Sequence, residues 1–502
     1  MPDLVVMNPG DDVWVALREI AAAELVTAAG QKPLQARTAV PRGHKMACRD
    51  LPAGSLVHKY GQVIGAATQD IAAGAQVHTH NLAVPGRGTR VQQDTHPLAA
   101  PEPSRPRTFW GYRRPDGRVG TRHDIGILTT VSCSATVAEQ IARRSQQREL
   151  PGVDAVVALT HGSGCGLETS GPGWENLRRS LSGYATHPNI AGLVVIGLGC
   201  EMLTLETFLD DLGASQVPVR GFTIQDQGGT RASIDHGLEL VAELAGQVRA
   251  QREECGLSEL VLGLKCGGSD AWSGVTANPV LGYASDVLVG AGGTSILAEV
   301  PELYGAEHLL AARAVSPEVA QALLAKIDWW EQYTAAHGAT LDANPSAGNK
   351  AGGITTIVEK SLGAVAKAGT APVQAVLDYG QRAPRHGGLV VMDTPGYDPV
   401  AVTGQVAGGA TVEVFTTGRG SVFGSLPTPC LKLATTSELA RRMSDDIDLD
   451  CGPVLDGTST IAEMGEQLLD LICATASGQP TRSEELGLGH LEIIPWQIGA
   501  VM

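Results

Sequence analysis

Four cysteines follow or end short apolar segments, each in a turn of small residues. They are Cys133, Cys165, Cys200 and Cys266, in Val-Ser-Cys-Ser, Gly-Ser-Gly-Cys-Gly, Gly-Leu-Gly-Cys-Glu and Leu-Lys-Cys-Gly-Gly. In open parallel sheets, ligands gather where strands end and where glycine lets a bound group approach the backbone. Thiolates are soft ligands that suit iron and iron–sulfur clusters. We therefore predict that the four thiols converge on one metal site. The alternative is that each cysteine is a small buried apolar residue.

Histidines near the N-terminus form a competing set. His44 and Lys45 follow Arg-Gly, and His78 and His80 stand two residues apart in Val-His-Thr-His-Asn. Residues two apart in a strand share one face, so His78 and His80 could hold one ion together with His44. This second site would suit mononuclear Fe²⁺ or Mn²⁺ on a hydroxy-acid substrate. The alternative is a pair of exposed strand histidines.

Polar and charged residues also stand among glycines in the C-terminal half. Such turns suit a ligand with a carboxylate and several hydroxyls, held by backbone N–H groups and a few fixed side chains. The residues are Asp270, Asn278, Asn349, Lys350 and Arg419. Gly-Asn-Lys350 lacks both the spacing of a phosphate loop and the Ser or Thr after the lysine, so we expect no nucleotide cofactor.

Composition limits the class of protein. A chain of 502 residues suggests about three domains. The net charge of −16, without a sustained basic run, disfavours nucleic acid and anionic membranes as partners. We find no signal-peptide pattern and no apolar stretch of membrane-spanning length. Nine cysteines, without disulfide-type crowding, favour a reducing compartment, and we expect a cytoplasmic protein.

The order of apolar segments predicts an α/β protein with largely parallel sheets. Short β-like segments indicate a small β-rich domain over residues 10–82, and a Pro/Gly-rich linker follows over 83–107. Alternating strands and helices indicate an α/β domain over 108–253 and a second one over 254–502. In the latter we predict strands near 285–289, 294–299, 388–392, 411–416 and 430–434.

Several motifs, taken in order, resemble the altronate/galactarate dehydratase family over essentially the whole chain. They are Arg42-Gly-His-Lys45, Lys59-Tyr-Gly-Gln-Val-Ile-Gly65, His78-Thr-His-Asn81, Gly197-Leu-Gly-Cys-Glu201, Cys266-Gly-Gly-Ser-Asp270, Ala277-Asn-Pro279, Asn349-Lys-Ala-Gly-Gly353 and Phe415-Thr-Thr-Gly-Arg-Gly420. The resemblance implies an N-terminal SAF-type β domain, two α/β domains, and iron-dependent removal of water from a sugar acid. His78-Thr-His-Asn81 is similar to the altronate enzymes. Two other motifs are similar to the galactarate enzymes: Tyr283-Ala-Ser-Asp286 and Val412-Glu-Val-Phe-Thr-Thr-Gly418.

Such a dehydration removes the proton beside a carboxylate and expels the neighbouring hydroxyl, which requires a base, an acid and charge stabilisation. We expect His44 or Lys350 to be the base, Asp270 an acid or metal partner, and Arg419 the carboxylate clamp. Lys45, His161, Asn278 and Asn349 are further candidates for substrate contacts. Because the linker can span more than a domain radius, we also expect the N-terminal histidines to reach an α/β active site.

The predicted reaction converts D-altronate to 2-keto-3-deoxygluconate. His161-Gly-Ser-Gly-Cys165 departs from the family pattern, and Ala347 stands where the family has proline, so the substrate alternatives stay open. They are galactarate or glucarate dehydration and sulfolactate sulfo-lyase chemistry, and, outside enzymes, a sugar-acid-binding module. We expect a homo-oligomer.

Overall fold

The computed structural model describes residues 2–85, 105–213 and 217–499. The predicted linker over 83–107 therefore lies for the most part outside the described residues.

Residues 2–85 form antiparallel strands without a helix in that range, which confirms the predicted β-rich domain. The strands are β1 (Leu4–Val5), β2 (Val13–Ala16), β3 (Leu25–Val26), β4 (Leu34–Gln35), β5 (Lys45–Ala47), β6 (Leu56–Lys59), β7 (Gln62–Ala67), β8 (Gln76–Val77) and β9 (Leu82–Ala83). They pair in the orders β1-β2-β5-β8, β3-β4 and β6-β7-β9. Val57 and Ile64 pack in one continuous core with Leu262 and Val414 of the C-terminal domain. The N-terminal domain is thus fixed against the rest of the protein by apolar burial.

The second domain is built on a parallel sheet in the order β13-β12-β14-β15. Its inner strands are fully buried because they carry continuous apolar runs between covering helices. The elements are β10 (Thr108–Arg113), β11 (Val119–Gly120), β12 (Asp124–Thr129), α1 (Ala135–Ser145), β13 (Val156–Leu159), α2 (Gly171–Ala185), β14 (Ile190–Gly197), α3 (Leu205–Leu212), β15 (Val219–Thr223), α4 (Thr230–Gln247) and β16 (Glu253–Gly256). Antiparallel pairing of β10 with β16 joins the two ends of this domain.

The C-terminal domain has a larger parallel sheet in the order β19-β20-β18-β17-β21-β22-β23. Its elements are β17 (Val261–Cys266), α5 (Ala277–Gly290), β18 (Thr294–Leu297), α6 (Glu307–Ala311), α7 (Pro317–Ala336), α8 (Ala347–Ala351), α9 (Ile357–Ala366), β19 (Val373–Leu377), β20 (Gly388–Met392), α10 (Asp398–Ala407), β21 (Val412–Thr417), β22 (Cys430–Ala434), α11 (Ser437–Arg442), β23 (Leu449–Asp450), α12 (Gly452–Leu455), α13 (Ile461–Ala476) and α14 (Arg482–Glu485). The predicted α/β class with parallel sheets is confirmed.

One predicted strand is wrong. Residues 285–289 lie inside α5, which is buried on nearly all sides. A short apolar run fits a buried helix as well as a buried strand, and periodicity alone does not separate the two.

The amino edges of the two α/β sheets lie beside each other. Helix α2 ends beside α10, where a Cβ on Gly183 would lie 2.3 Å from the carbonyl oxygen of Ala407. Each helix leads into the amino end of the next strand, β14 and β21 respectively, so the amino edges of the two sheets are neighbours. The carboxyl edge of each sheet, where α/β proteins bind ligands, lies at the other end of its strands.

Candidate active site at the carboxyl ends of the two sheets

The point where the C-terminal sheet reverses its strand order lies between β17 and β21. Ligands of open α/β sheets bind outside the strand ends at such points. Here the turn after Cys266 meets the turn after Thr417: the backbone N–H groups of Gly418 and Arg419 donate to the carbonyl oxygen of Gly268, at 3.1 and 2.8 Å. Two of the glycine turns predicted from the sequence are thus in contact.

Asp270 is the buried carboxyl group of this turn. It accepts hydrogen bonds from the Trp272 N–H at 3.0 Å, the Ser273 hydroxyl at 3.1 Å and the Thr435 hydroxyl at 3.2 Å. Burial nevertheless raises the pKa of Asp270 above its ordinary value. A Cβ on Gly418 would lie 2.1 Å from the Asp270 carboxyl carbon, so glycine is needed there. A fixed carboxyl group with a raised pKa is suited to proton transfer.

The N-terminal domain places two histidines against this edge. The rings of His44 and His78 are 4.8 Å apart, centroid to centroid. The Gln76 amide lies 2.9 Å from His44 Nδ1, which leaves Nε2–H to face the Ala351 carbonyl at 3.3 Å. His78 Nδ1 lies 3.1 Å from the Thr355 hydroxyl. Burial lowers the pKa of both rings, that of His78 to about 4, so both are neutral at pH 7.

His80 is separate from this pair. His78 and His80 follow the end of β8 and lie in a turn, so they do not share a strand face as the spacing predicted. His80 is exposed, whereas His78 is half-buried. The strand interpretation is wrong because the strand ends at Val77, where Asn81 closes the turn by accepting the His78 N–H at 2.9 Å.

A buried ionic triad joins the two domains beside the histidines. Glu359 of α9 binds Lys45 at 2.8 Å and Lys59 at 2.9 Å, and all three side chains are almost fully buried. Burial would raise the pKa of Glu359, but the two ammonium groups lower it to about 2. Burial lowers the pKa of Lys45 to about 8. Burial alone would also lower the pKa of Lys59, but the charge of Glu359 outweighs it and raises that pKa.

Glu359 also reaches the histidines. Its Oε2 accepts the backbone N–H of Thr355 at 2.9 Å, and the Thr355 hydroxyl meets His78. Lys45 donates in addition to the Gly353 carbonyl at 2.8 Å. The ammonium group of Lys45, predicted to contact substrate, is therefore used within the domain interface.

The other predicted substrate residues fall into two groups. Asn278 and Asn349 are buried and donate to the carbonyl oxygens of Gly363 and Ser269, both at 2.8 Å, so their amides fix the protein backbone. Lys350 is half-buried and Arg419 is exposed. Within the described part of the chain, neither of these two side chains has a hydrogen-bond or ion-pair partner. A cavity of about 10 Å³ lined by Tyr60, Asp270 and Glu359, among others, has room for about one water molecule.

Three of the four cysteines lie at the carboxyl edge of the second-domain sheet. Cys133, Cys165 and Cys200 follow the adjacent strands β12, β13 and β14, and all three are exposed. The order of these strands also reverses between β12 and β14. The three loops are held together: the Ser132 N–H donates to the Ser163 carbonyl at 2.9 Å, and the Thr130 hydroxyl donates to Glu201 at 2.8 Å.

Buried side chains set the shape of these loops. The Glu201 carboxylate accepts the backbone N–H groups of Gly199 and Cys200 at 2.7 and 2.9 Å. His161 accepts the Ser163 N–H at 3.1 Å and donates to the Thr129 carbonyl at 3.0 Å, and burial lowers its pKa to about 4. Both nitrogens of His161 are thus occupied by backbone groups, which gives it a loop-fixing position.

Cys266 belongs to a different cluster. Its sulfur lies 2.9 Å from Lys367 Nζ and 3.8 Å from the Glu299 carboxylate, in the buried interior of the C-terminal domain. Cys266, Glu299 and Glu302 have ligand atoms within 4.8 Å of one another. Lys265 and Lys367 both pair with Glu299, and Lys360 pairs with Glu302 at 2.8 Å, so ammonium groups already balance these carboxylates. The predicted four-thiol set is thus divided into three exposed thiols and one buried thiol.

The chemistry of the exposed set fits iron better than that of the buried set. Three thiols on neighbouring loops offer soft ligands and leave a position for substrate. Among the described residues the three sulfurs do not all lie within 4.8 Å of one another.

Sequence comparisons match this arrangement along the chain. Residues 2–85 match the altronate/galactarate dehydratase SAF domain, 111–249 the D-galactarate dehydratase/altronate hydrolase second domain, and 257–501 the D-galactarate/altronate dehydratase C-terminal domain. The chain belongs to the D-galactarate/altronate dehydratase family, whose named dehydratases are carbon–oxygen lyases.

The similar proteins include two dehydratases with different substrates in their names and one sulfo-lyase subunit. The chain is 42% identical to the galactarate dehydratase (L-threo-forming) of Escherichia coli, over 89% of this chain and 88% of the relative. It is 38% identical to the altronate dehydratase of the same organism, over 96% and 97%. It is 35% identical to the (2R)-sulfolactate sulfo-lyase subunit beta of Chromohalobacter salexigens, over 77% and 97%. Among the described residues, no helix combines the length and apolarity needed to cross a membrane.

Proposed function

We propose that this protein dehydrates a sugar acid, D-altronate, to 2-keto-3-deoxygluconate and water. The observation that carries the proposal is that the His44–His78 pair of the N-terminal domain packs on the segment that follows α8: His44 faces the Ala351 carbonyl, and the next residue, Gly352, accepts the N–H of Ala271, the neighbour of Asp270. Neutral imidazoles and a carboxyl group of raised pKa supply the base and acid that the reaction needs. The membership of the chain in a dehydratase family supports the same reaction type.

In the proposed reaction His78 takes the proton from the carbon beside the carboxylate with its Nε2, which has no partner among the described residues, while its Nδ1 meets the Thr355 hydroxyl. The hydroxyl on the next carbon leaves as water with a proton from Asp270, and the enol that remains tautomerises to the 2-keto acid. Arg419 and Lys350, whose side chains have no partner among the described residues, supply the positive charge that holds the substrate carboxylate. His44, whose ring nitrogens face the Gln76 amide and the Ala351 carbonyl, lies against His78 and supports its orientation.

Iron is part of the proposal. Cys133, Cys165 and Cys200 would hold it, as a cluster or as a single ion. Bound iron would supply Lewis-acid stabilisation of negative charge on substrate oxygen atoms. Supporting features are the shared edge of the three loops and the exposure of their thiols. We also propose that the protein acts in the cytoplasm and as a homo-oligomer, as its composition and reaction class suggest.

Motifs of both the altronate and the galactarate type contribute to the candidate site. The altronate-like motif His78-Thr-His-Asn81 lies in the candidate site. The galactarate-like motif Tyr283-Ala-Ser-Asp286 lies in α5, where Asp286 accepts the backbone N–H groups of Thr370 and Ala371 at 2.8 Å. That motif therefore supports the scaffold, but the second galactarate-like motif, Val412-Glu-Val-Phe-Thr-Thr-Gly418, ends against Asp270 in the candidate site. Galactarate remains the second candidate because of the 42% identity to a galactarate dehydratase.

The test is an anaerobic assay of the iron-loaded protein with D-altronate, galactarate, glucarate and sulfolactate, without nicotinamide. We expect 2-keto-3-deoxy acid to form from D-altronate, and His78→Gln to lower kcat about 100-fold or more. His386→Gln, at an exposed histidine of the C-terminal domain, is the matched control and keeps full activity. Turnover of galactarate alone would identify galactarate, and not D-altronate, as the substrate. Binding of all four acids without turnover would show that the protein is a sugar-acid-binding module and not an enzyme.

A further inference from the structure

A cavity of about 320 Å³ lies between the second and C-terminal domains. Its lining includes Thr186 and His187, which precede β14, and Arg382, which precedes β20. It therefore stands at the amino edges of the two sheets, on the side opposite the candidate active site. Its volume is in the range of pockets that bind small molecules.

The lining of this cleft is strongly basic. Arg114, Arg118 and Arg382 line it, and Asp116 is the one carboxylate among the described lining residues. Asp116 is already paired with Arg118 at 2.6 Å. Two guanidinium charges thus remain without a carboxylate in the cleft, although the protein as a whole carries a net charge of −16.

The three arginines differ in how far the protein satisfies them. Arg114 is buried and donates to the carbonyl oxygens of Pro188 and Arg122, at 2.6 and 3.0 Å, so it fixes a positive charge in the wall. Arg118 donates to the Thr186 carbonyl at 2.8 Å. Arg382 donates to the Thr186 hydroxyl, and within the described residues its other N–H groups have no protein acceptor.

Electrostatics agrees with this geometry. The pKa of Arg382 is lowered, first by its partial enclosure in the cleft and second by the charge of Arg118. The attraction of Asp116 raises this pKa by a smaller amount. Two guanidinium groups from different domains therefore repel each other across the seam. A bound anion would remove that repulsion and use the unoccupied N–H fork of Arg382.

We propose that this cleft binds a compact organic or inorganic dianion, through a phosphate group or paired carboxylates. Arg118 of the second domain and Arg382 of the C-terminal domain grip the anion from opposite sides of the seam, and Arg114 adds charge from the wall. Binding joins the two domains at the edge opposite the active site. The site is independent of the proposed dehydration.

The proposal is tested on the full-length protein by calorimetry and thermal unfolding, with inorganic phosphate and with malonate as separate probes. Ionic strength is held constant with sodium chloride, so that general screening does not contribute. We expect saturable binding with a Kd of about 1 mM or below for at least one probe, and a rise in Tm. The probe that binds identifies the chemical source, phosphate or carboxylate.

Arg382→Gln should weaken binding about tenfold or more, and Arg118→Gln serves as a second variant on the other side of the seam. Arg385→Gln is the matched control, because Arg385 is exposed on the same loop but bonds the Gly117 carbonyl and Glu259 outside the cleft lining. It should bind as the wild type does. Equal binding by the wild type and both cleft variants, or no binding of either probe, would overturn the proposal.

Discussion

The interface between the N-terminal and C-terminal domains and the cysteine edge of the second domain differ in what completes them. At the interface, Lys45, Lys59 and Glu359 satisfy one another inside the protein. At the cysteine edge, Glu201 and His161 fix the loops, but the three thiols are exposed. The charged groups of the interface are therefore paired without a ligand. The three thiols of the cysteine edge, in contrast, would be used only when a metal binds there.

This difference separates two kinds of preorganisation. Buried charges that are paired hold a structure together at neutral pH, because leaving either partner alone is costly. Exposed thiols cost little when nothing is bound, so their arrangement need not contribute to stability. Loss of the metal should consequently abolish catalysis without unfolding the protein. Loss of the ionic triad should destabilise the fold without abolishing catalysis completely.

The largest effect is expected from the thiols. Cys133→Ser, Cys165→Ser and Cys200→Ser should each lose most of the bound iron and lower kcat/KM by more than the 10–100-fold typical of changes around a metal site's outer shell. Iron content of anaerobically purified protein and kcat/KM are the measurements. Unfolding of the metal-free protein should remain close to that of the wild type.

Two further serine variants sharpen this test. Cys48→Ser is the control, since Cys48 lies in the N-terminal domain and bonds the Asp11 carbonyl. Cys266→Ser should retain iron if the three exposed thiols are the ligands. Loss of iron only in Cys266→Ser would move the metal to the buried cluster with Glu299 and Glu302.

The next effect concerns stability. Glu359→Gln should lower the free energy of unfolding by about 3–5 kcal/mol, because two buried ammonium groups lose their carboxylate. Glu438→Gln is the matched control: Glu438 pairs with Arg42 across the same interface at 2.5 Å but is 60% exposed. Its loss should cost less than about 1 kcal/mol. Urea unfolding at pH 7 measures both.

The pH dependence of the same pair of proteins gives a second measurement. The pKa of Glu359 is about 2 in the folded protein, below its ordinary value of 4.5. A carboxyl group whose pKa is lower in the folded than in the unfolded protein stabilises the fold at pH values above its unfolded pKa. That contribution is lost as the pH falls toward its folded pKa. The stability difference between wild type and Glu359→Gln should therefore shrink between about pH 4.5 and pH 2. A constant difference, or equal stability of Glu359→Gln and Glu438→Gln at pH 7, would contradict the triad.

Sequence reasoning reached the turns but not the triad. The cysteine and glycine turns could be predicted because strand-ending turns are local and their location at a sheet edge follows from the α/β pattern. Glu359 could not, since Thr356-Ile-Val-Glu359 is typical of a helix start, and Thr356 indeed caps α9 by accepting the Glu359 N–H. Its pairing with lysines 300 or more residues earlier depends on how the domains dock.

Cys266 and the histidine pair show the same limit. The turn after Cys266 has the same composition as the other three, but its thiol is buried beside Lys367 and Glu299, and composition does not report whether a thiol at a strand end faces solvent or the interior. The two-residue spacing of His78 and His80 indicated a shared face only on the assumption of a strand, and the strand ends one residue too early. Tertiary context decided both positions.

The smallest expected effect is that of His80→Ala, which is compared with His78→Ala. His78→Ala should lower kcat/KM about 100-fold, because His78 lies against His44 and Thr355. His80→Ala should change kcat/KM by no more than about twofold, as is usual for an exposed side chain away from a site. Iron content should be unchanged in both variants, since the metal is expected on the cysteine edge. If both variants lose iron and activity together, the metal belongs to the N-terminal domain, and the proposed division between a ligand-free interface and a metal-completed cysteine edge is wrong.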